Sequence, residues 1–217
     1  MRLLAARTAV AQYGRLMLAD GLVVGTSGNL SVRDRDLIAV SPSGLPYSET
    51  TPELVGVHDL DGNAVEAPLA PTTELPMHLA IYQSTDARAV VHTHSTAATA
   101  VSTLVDTLPS IHYLVARFGG PVRVAPYATY GTPELASNMA TALKDRTGCL
   151  LANHGTITIG ATLAEAYDRA VCLEWLCEVW LRATAAGRPR LLDDDEIARV
   201  VDKLASYGVR AATPGPE

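Results

Sequence analysis

Between residues 29 and 67 the chain writes one local pattern twice. NLSVRDRDLIAVSPSG alternates apolar and polar residues around a charged tight turn, and LVGVHDLDGNAVEA repeats the arrangement with Asp61-Gly62-Asn63 at its turn. Alternation of period two sends successive side chains to opposite faces, and turns this short join antiparallel neighbours. Two hairpins in succession make the first third of the chain largely antiparallel β. They weigh against a doubly wound parallel sheet, whose strands must alternate with helices.

The remaining segments supply the helices and the other strands. Residues 3–19 carry Leu, Val and Met at helical spacing and stop at Asp20-Gly21; Arg7 and Arg15 interrupt the apolar run, so it reads as an amphipathic first helix rather than a cleaved leader. The loop APLAPTTE leads into a helix expected from about Thr73 to Gln83, with Pro76 in its first turn, where a missing N–H costs little. ARAVVHTH is a strand, and Ser95 to about Leu104 a helix, followed by two short β runs, SIHYLVA and VRVAPYA. TPELASNMATALKD has a Thr cap and Pro at the first helical position. GCLLANHG and TITIG are buried strands, TLAEAYDRAVCLEWLCEVWLRATAAG is a long helix, and DDDEIARVVDKLASYG a last one whose acidic first turn suits the helix dipole. The expected architecture is a mixed α/β, three-layer fold: a mostly antiparallel central sheet of about eight to nine strands with helices on both faces. Residues 1–210 form one domain in this reading, and 211–217 (ATPGPE and the residue before it) a disordered tail.

Composition excludes several classes of function. With 217 residues, 48% of them hydrophobic, the chain buries a sizeable core, and its net charge of -6 with 17 scattered Lys and Arg offers no footprint for nucleic acid or an anionic membrane. No apolar run approaches the roughly 20 residues needed to span a bilayer. Cys149, Cys172 and Cys177 form neither an even framework nor a C-x-x-C pair and sit in apolar surroundings, which reads as buried thiols of a cytoplasmic protein.

The chemistry is carried by histidines and hydroxyls. In AVVHTHSTA, His92 and His94 are two apart at the end of an apolar run, so on a strand they aim at one point. His154 also follows a buried apolar run, CLLANHG. Three histidines at the ends of two core strands suit a catalytic zinc site with three protein ligands and an open fourth position; the plainer reading is that each polar residue caps its strand. His58 lies in a polar hairpin, His112 in IHYL, and His78 four residues after Glu74 on one helix face, a further candidate ligand. Glu74 is either a surface carboxylate stabilised by a helix N-terminus or a general base or metal ligand; spacing leaves both open. GTSGN at 25–29, SPSG at 41–44 and PTTE at 71–74 each offer hydroxyls and turn N–H groups that bind phosphate without a cation. None is a Walker loop, since no G-K-[ST] follows, and Asn29 breaks the G-x-S-x-G elbow of a serine hydrolase.

Taken together, GTSGNLSVR, SPSGLPY, PTTELPMH, AVVHTHSTA, IHYL, APYATYGTPEL, NHG and SYG resemble, in order and spacing, the class II aldolase family that includes adducin heads, and within it the L-fuculose-phosphate aldolase branch. The resemblance implies that His92, His94 and His154 hold Zn2+, with Glu74 ligating the metal at rest and moving off to shuttle a proton. It implies phosphate binding by Thr26, Asn29, Ser43, Gly44, Thr72 and Thr73. Tyr113 would come from a neighbouring subunit of a C4 homotetramer to handle a hydroxyl proton of the aldehyde half, and Tyr207 would help close the site. The implied substrate is a phosphorylated ketose, L-fuculose 1-phosphate first, cleaved to dihydroxyacetone phosphate and L-lactaldehyde. The alternatives are a 5-deoxypentulose-1-phosphate aldolase, a methylthioribulose-1-phosphate dehydratase, an L-ribulose-5-phosphate 4-epimerase, in which Asp stands where this chain has Glu74, and a non-enzymatic adducin-head-like module. Departures from the branch are Thr for Ser in the second phosphate loop, Tyr130 for Phe, and Leu75, Pro76 and Met77 after Glu74. They bear on the aldehyde preference rather than on the chemistry.

Overall fold

The computed structural model describes residues 1–204. Its elements are α1 (Leu4–Ala19), β1 (Asn29–Asp34), β2 (Leu37–Val40), β3 (Gly56–Asp59), β4 (Ala64–Glu66), α2 (Leu75–Ser84), β5 (Ala89–Thr93), α3 (Thr96–Ser102), β6 (Thr107–Leu108), a 3₁₀ helix (Tyr113–Phe118), β7 (Val122–Ala125), α4 (Pro133–Leu143), β8 (Gly148–Leu151), β9 (Gly155–Gly160), α5 (Leu163–Ala186) and α6 (Asp194–Leu204). The strands make one nine-stranded sheet in the order β4-β3-β2-β1-β5-β9-β8-β7-β6. Every pairing is antiparallel except β7 with β8. Both hairpins form, β1–β2 and β3–β4, so the mixed and mostly antiparallel architecture expected from the alternation is the one observed.

Strand β5 shows how the layers are built. Val90 joins α2 and α4 in one apolar cluster, whereas Ala89 and Val91 join α1 and the first half of α5 in another. A third cluster packs α3, the 3₁₀ helix and the second half of α5 against Val122 and Leu150. A strand buried on both faces reads as a continuous apolar run, and each fully buried Val contributes roughly 1.5–3 kcal/mol. Residues His92 and Val90 share a face by the same alternation, which puts His92 on the α2 side of the sheet.

Three local expectations are corrected. SIHYLVA contains no strand: Tyr113–Phe118 is a 3₁₀ helix whose start is capped by the His112 ring accepting from Leu114 N–H, and whose end is Gly119 at φ 82°. Val115 and Phe118 are its fully buried residues, an i, i+3 spacing that a strand would send to opposite faces. The β structure here is instead the two-residue β6, which pairs with β7. Helix α2 begins at Leu75 rather than Thr73, with Glu74 as its N-cap, and α3 spans only Thr96–Ser102.

Candidate active site

Backbone register gathers the three histidines. β5 pairs with β9 so that Thr93 lies opposite Thr156. The turn between β8 and β9, which carries His154, therefore sits beside the end of β5, where His92 and His94 project. The close approach demands glycine at 155, because a Cβ there would stand 2.0 Å from the Thr93 carbonyl oxygen. The rings meet edge to face, with centroids 4.7 Å (His92 to His94), 4.9 Å (His92 to His154) and 4.7 Å (His94 to His154) apart. His94 Nε2 lies 2.9 Å from His92 Nε2. Glu74 completes the group, with Oε2 3.0 Å from His92 Nε2 and Oε1 3.2 Å from His154 Nε2. One ligand atom from each of the four residues falls within 4.8 Å of all the others.

The donor set fits a divalent cation. His92 Nδ1 lies 2.8 Å from the Thr156 carbonyl oxygen, an acceptor only, so Nδ1 carries the proton. In the neutral ring Nε2 is then a bare lone pair, facing a second imidazole nitrogen and a carboxylate. Glu74 Oε1 is buried and has no hydrogen-bond donor aligned on it. Lone pairs converging in this way need a positive charge between them, and a carbonyl holding the far ring nitrogen is the usual support of a ligating histidine. In the protein alone the carboxylate and the rings act on one another. Burial opposes ionisation of Glu74, but the His92 and His154 imidazoles outweigh it and hold its pKa far below the carboxylate range. Burial disfavours charge on His92, yet Glu74 raises its pKa; His94, half-buried and beside two imidazoles, is lowered to about 3.

Glu74 is not the surface carboxylate of the simpler reading. It is buried, and its side chain makes no cap bond to α2. Asn29 Nδ2 donates to Glu74 Oε2 at 2.9 Å and to Thr72 Oγ1 at 3.0 Å, while Glu74 N–H donates to Thr72 Oγ1 at 3.2 Å. Asn29, one of the residues that the resemblance places at the phosphate, lines the cavity above the cluster and gives both of its side-chain N–H groups to these two residues. His78 is not a fourth imidazole of the cluster. It is completely buried on α2, with Nε2 2.5 Å from Asn29 Oδ1 and Nδ1 2.6 Å from Ser31 Oγ. His58 is also buried and apart from the cluster, its Nδ1 3.3 Å from the Gly62 carbonyl oxygen.

A cavity of about 430 Å³ opens above this group, and its walls include Thr26, Asn29, Ser43, Gly44, Thr72 and Thr73. Hydroxyls and loop amides make its polar wall; among the described residues no Lys or Arg lines it. Gly28 folds the first loop against β5 at φ 72°, where a Cβ would stand 2.7 Å from the His92 carbonyl oxygen. Tyr127 and Asn153 line the cavity too and were not singled out from the sequence; Tyr130, noted there as a departure from the branch, lies beside them. A neighbouring groove of about 540 Å³ shares His94, His154 and Ser27 and continues along Thr96, Thr99, Ala100 and Thr103. Tyr113 does not reach either space within its own chain; its half-exposed ring lies 4.4 Å from His112, which stands edge-on to Trp175 at 4.9 Å. Tyr207 lies outside the described residues.

Comparison with known proteins agrees with this geometry. The family described as Class II Aldolase and Adducin N-terminal domain matches residues 8–181. A 5-deoxy-D-ribulose 1-phosphate aldolase of Bacillus thuringiensis serovar kurstaki is 40% identical over 205 residues, covering 93% of this chain and 96% of its own. An L-fuculose phosphate aldolase of Escherichia coli O6:H1 is 43% identical over 193 residues, 88% of this chain and 89% of its own. A solved structure of L-fuculose 1-phosphate aldolase superimposes with a TM-score of 0.90 at 38% identity, covering 93% of this chain and 96% of that one. With that match spanning the hairpins, all four clustered residues and the cavity loops, the chain belongs to the class II aldolase and adducin N-terminal domain family.

Proposed function

We propose that this chain is a zinc-dependent aldolase that reversibly cleaves a ketose 1-phosphate to dihydroxyacetone phosphate and a short aldehyde. The observation that carries the reading is the convergence of three imidazoles and a buried carboxylate on the floor of a cavity walled by hydroxyls and amides. Zinc held by His92, His94 and His154 would supply Lewis-acid stabilisation of the enediolate charge left when the bond between carbons 3 and 4 breaks.

The protein's own groups do the rest. Thr26, Asn29, Ser43, Gly44, Thr72 and Thr73 hold the phosphate away from the breaking bond and so fix its geometry, with the Asn29 side chain also firming the loop through Thr72. Glu74 moves the proton at carbon 3 of the dihydroxyacetone phosphate half, a task worth roughly 10² to 10⁴ in rate for a positioned carboxylate. In cleavage the hydroxyl on carbon 4 gives up its proton, its oxygen becomes the aldehyde carbonyl, and Glu74 delivers a proton to carbon 3. Tyr113 is read as the group that takes the hydroxyl proton in a neighbouring subunit of a C4 tetramer, which accounts for a tyrosine on an exposed face outside its own chain's cavity. Tyr207 is read as closing the site. Three free, buried thiols support the reading of a cytoplasmic enzyme.

L-Fuculose 1-phosphate, giving L-lactaldehyde, is the first substrate; 5-deoxy-D-ribulose 1-phosphate, giving acetaldehyde, is the second, because the relative of that name matches over more of the chain. The test is a panel of both ketose phosphates and L-ribulose 5-phosphate, assayed for dihydroxyacetone phosphate before and after chelation. Cleavage that chelation abolishes is expected with the ketose 1-phosphates. Full activity in metal-stripped protein, or epimerisation of ribulose 5-phosphate without cleavage, would overturn the reading.

A further inference from the structure

We propose that His78 is a positioning residue for Glu74, acting through Asn29 at the end of a buried hydrogen-bond chain that begins at Tyr82; the proposal rests on the reading of Glu74 as the proton carrier. The chain is Tyr82 Oη to Ser31 Oγ at 2.7 Å, Ser31 Oγ to His78 Nδ1 at 2.6 Å, His78 Nε2 to Asn29 Oδ1 at 2.5 Å, and Asn29 Nδ2 to Glu74 Oε2 at 2.9 Å. All four supporting residues are buried.

Chemistry fixes the direction of every bond, starting from Glu74. An ionised carboxylate only accepts, so Asn29 must turn its NH₂ toward Oε2 and its carbonyl oxygen toward His78. That oxygen also only accepts, so His78 carries its proton on Nε2. Nδ1 of the neutral ring is then an acceptor, Ser31 donates to it, and Tyr82 donates to Ser31. A serine or amide in place of His78 reproduces at most one end of this link, whereas imidazole spans the distance from β1 to α2 with one donor and one acceptor on a rigid ring. The result is that the two oxygens of Glu74 are no longer equivalent. Oε2 is pinned by Asn29, whereas Oε1 has no aligned donor and is the atom left to bear the proton taken from carbon.

The test uses zinc-loaded protein and follows deuterium exchange from solvent into dihydroxyacetone phosphate, a readout of proton transfer that needs no aldehyde. His78→Leu should slow exchange roughly 10- to 100-fold, the usual effect of removing a group that orients a reacting one, with zinc content and inhibition by inorganic phosphate unchanged. His78→Gln, which can still donate to Asn29 Oδ1, should recover most of the loss. Ser31→Ala, a small truncation that guards against a misfolded Leu variant, should slow exchange about 5-fold, the equivalent of one hydrogen bond. Wild-type exchange in His78→Leu or in Ser31→Ala would overturn the proposal, as would equal losses in the Leu and Gln variants accompanied by loss of zinc or of phosphate inhibition. Glu74→Gln exchanging at the wild-type rate would overturn the assignment of Glu74 itself, a result the His78 variants do not imitate.

Discussion

The two halves of the proposed catalytic group are held by different means. On one side, His92, His94 and His154 are placed by strand pairing: once Thr93 is opposite Thr156, the turn at 152–154 meets the end of β5 and little else is required. On the other, Glu74 precedes a helix and is aimed by side chains, Asn29 and Thr72 directly and His78 beneath them. Positions set by register move only when the sheet moves. A position set by a relay of side chains moves whenever one link is cut, which suits the proposed role of a carboxylate that accepts and releases a proton while the histidines stay in place.

Breaking the first half should do the most harm. His92→Ala removes a nitrogen from the centre of the cluster and should lower cleavage at least about 10³-fold, the scale of several kcal/mol of lost charge stabilisation, with zinc content falling in parallel by metal analysis. Gly155→Ala attacks the register directly. A Cβ 2.0 Å from the Thr93 oxygen forces β9 away from β5, so urea denaturation should show a loss of about 3 kcal/mol or more; a wild-type midpoint would mean the strands are not in this register. Cutting the second half should be milder and more selective. Asn29→Ala leaves Glu74 Oε2 without its donor and His78 Nε2 without its acceptor, and should reduce kcat about 10- to 100-fold at unchanged zinc content, by the cost of unsatisfied buried groups.

The smallest effect separates the halves by pH. Burial, and then nearby His92, lower the pKa of His78 from 6.5 to about 3. Between those values the unfolded chain binds a proton that the folded one refuses. Stability from this group is therefore complete above about pH 6.5 and declines as pH falls toward 3, by up to about 1.4 kcal/mol per unit. Urea midpoints of metal-free protein should drop from about pH 7 to pH 5, and His78→Gln should drop less by about one proton's worth of slope. Identical slopes would show that His78 is charged in the folded chain.

This division also explains what could be read from the residues alone. Period-two alternation in 29–67 announces both hairpins, and H-x-H on an apolar run announces two convergent rings, because strand geometry turns spacing directly into direction. The Glu74 side is silent in that code. Asn29, Ser31, His78 and Tyr82 come from β1 and α2, and their contacts depend on how a helix lies on a sheet, which no local period records. From the residues alone Asn29 reads as a phosphate-loop residue and His78 as a further candidate ligand, and neither reading contains the bond between them. The IHYL segment is ambiguous for a related reason: an apolar run this short fits strand and helix alike, and only the cap at His112, the left-handed Gly119 and the joint burial of Val115 and Phe118 decide it. Tyr127 and Asn153 reach the cavity from loops, where sequence offers neither period nor cap as a guide.

Among the described residues no Lys or Arg stands on the cavity wall, and this bears on how a substrate arrives. The chain as a whole carries a charge of -6, so a sugar phosphate dianion approaches against a repulsive field and gains attraction only at short range. Mobile ions confine that field to about 8 Å at physiological strength. Added salt should therefore quicken capture, the opposite of what an enzyme that steers its ligand with surface lysines would show.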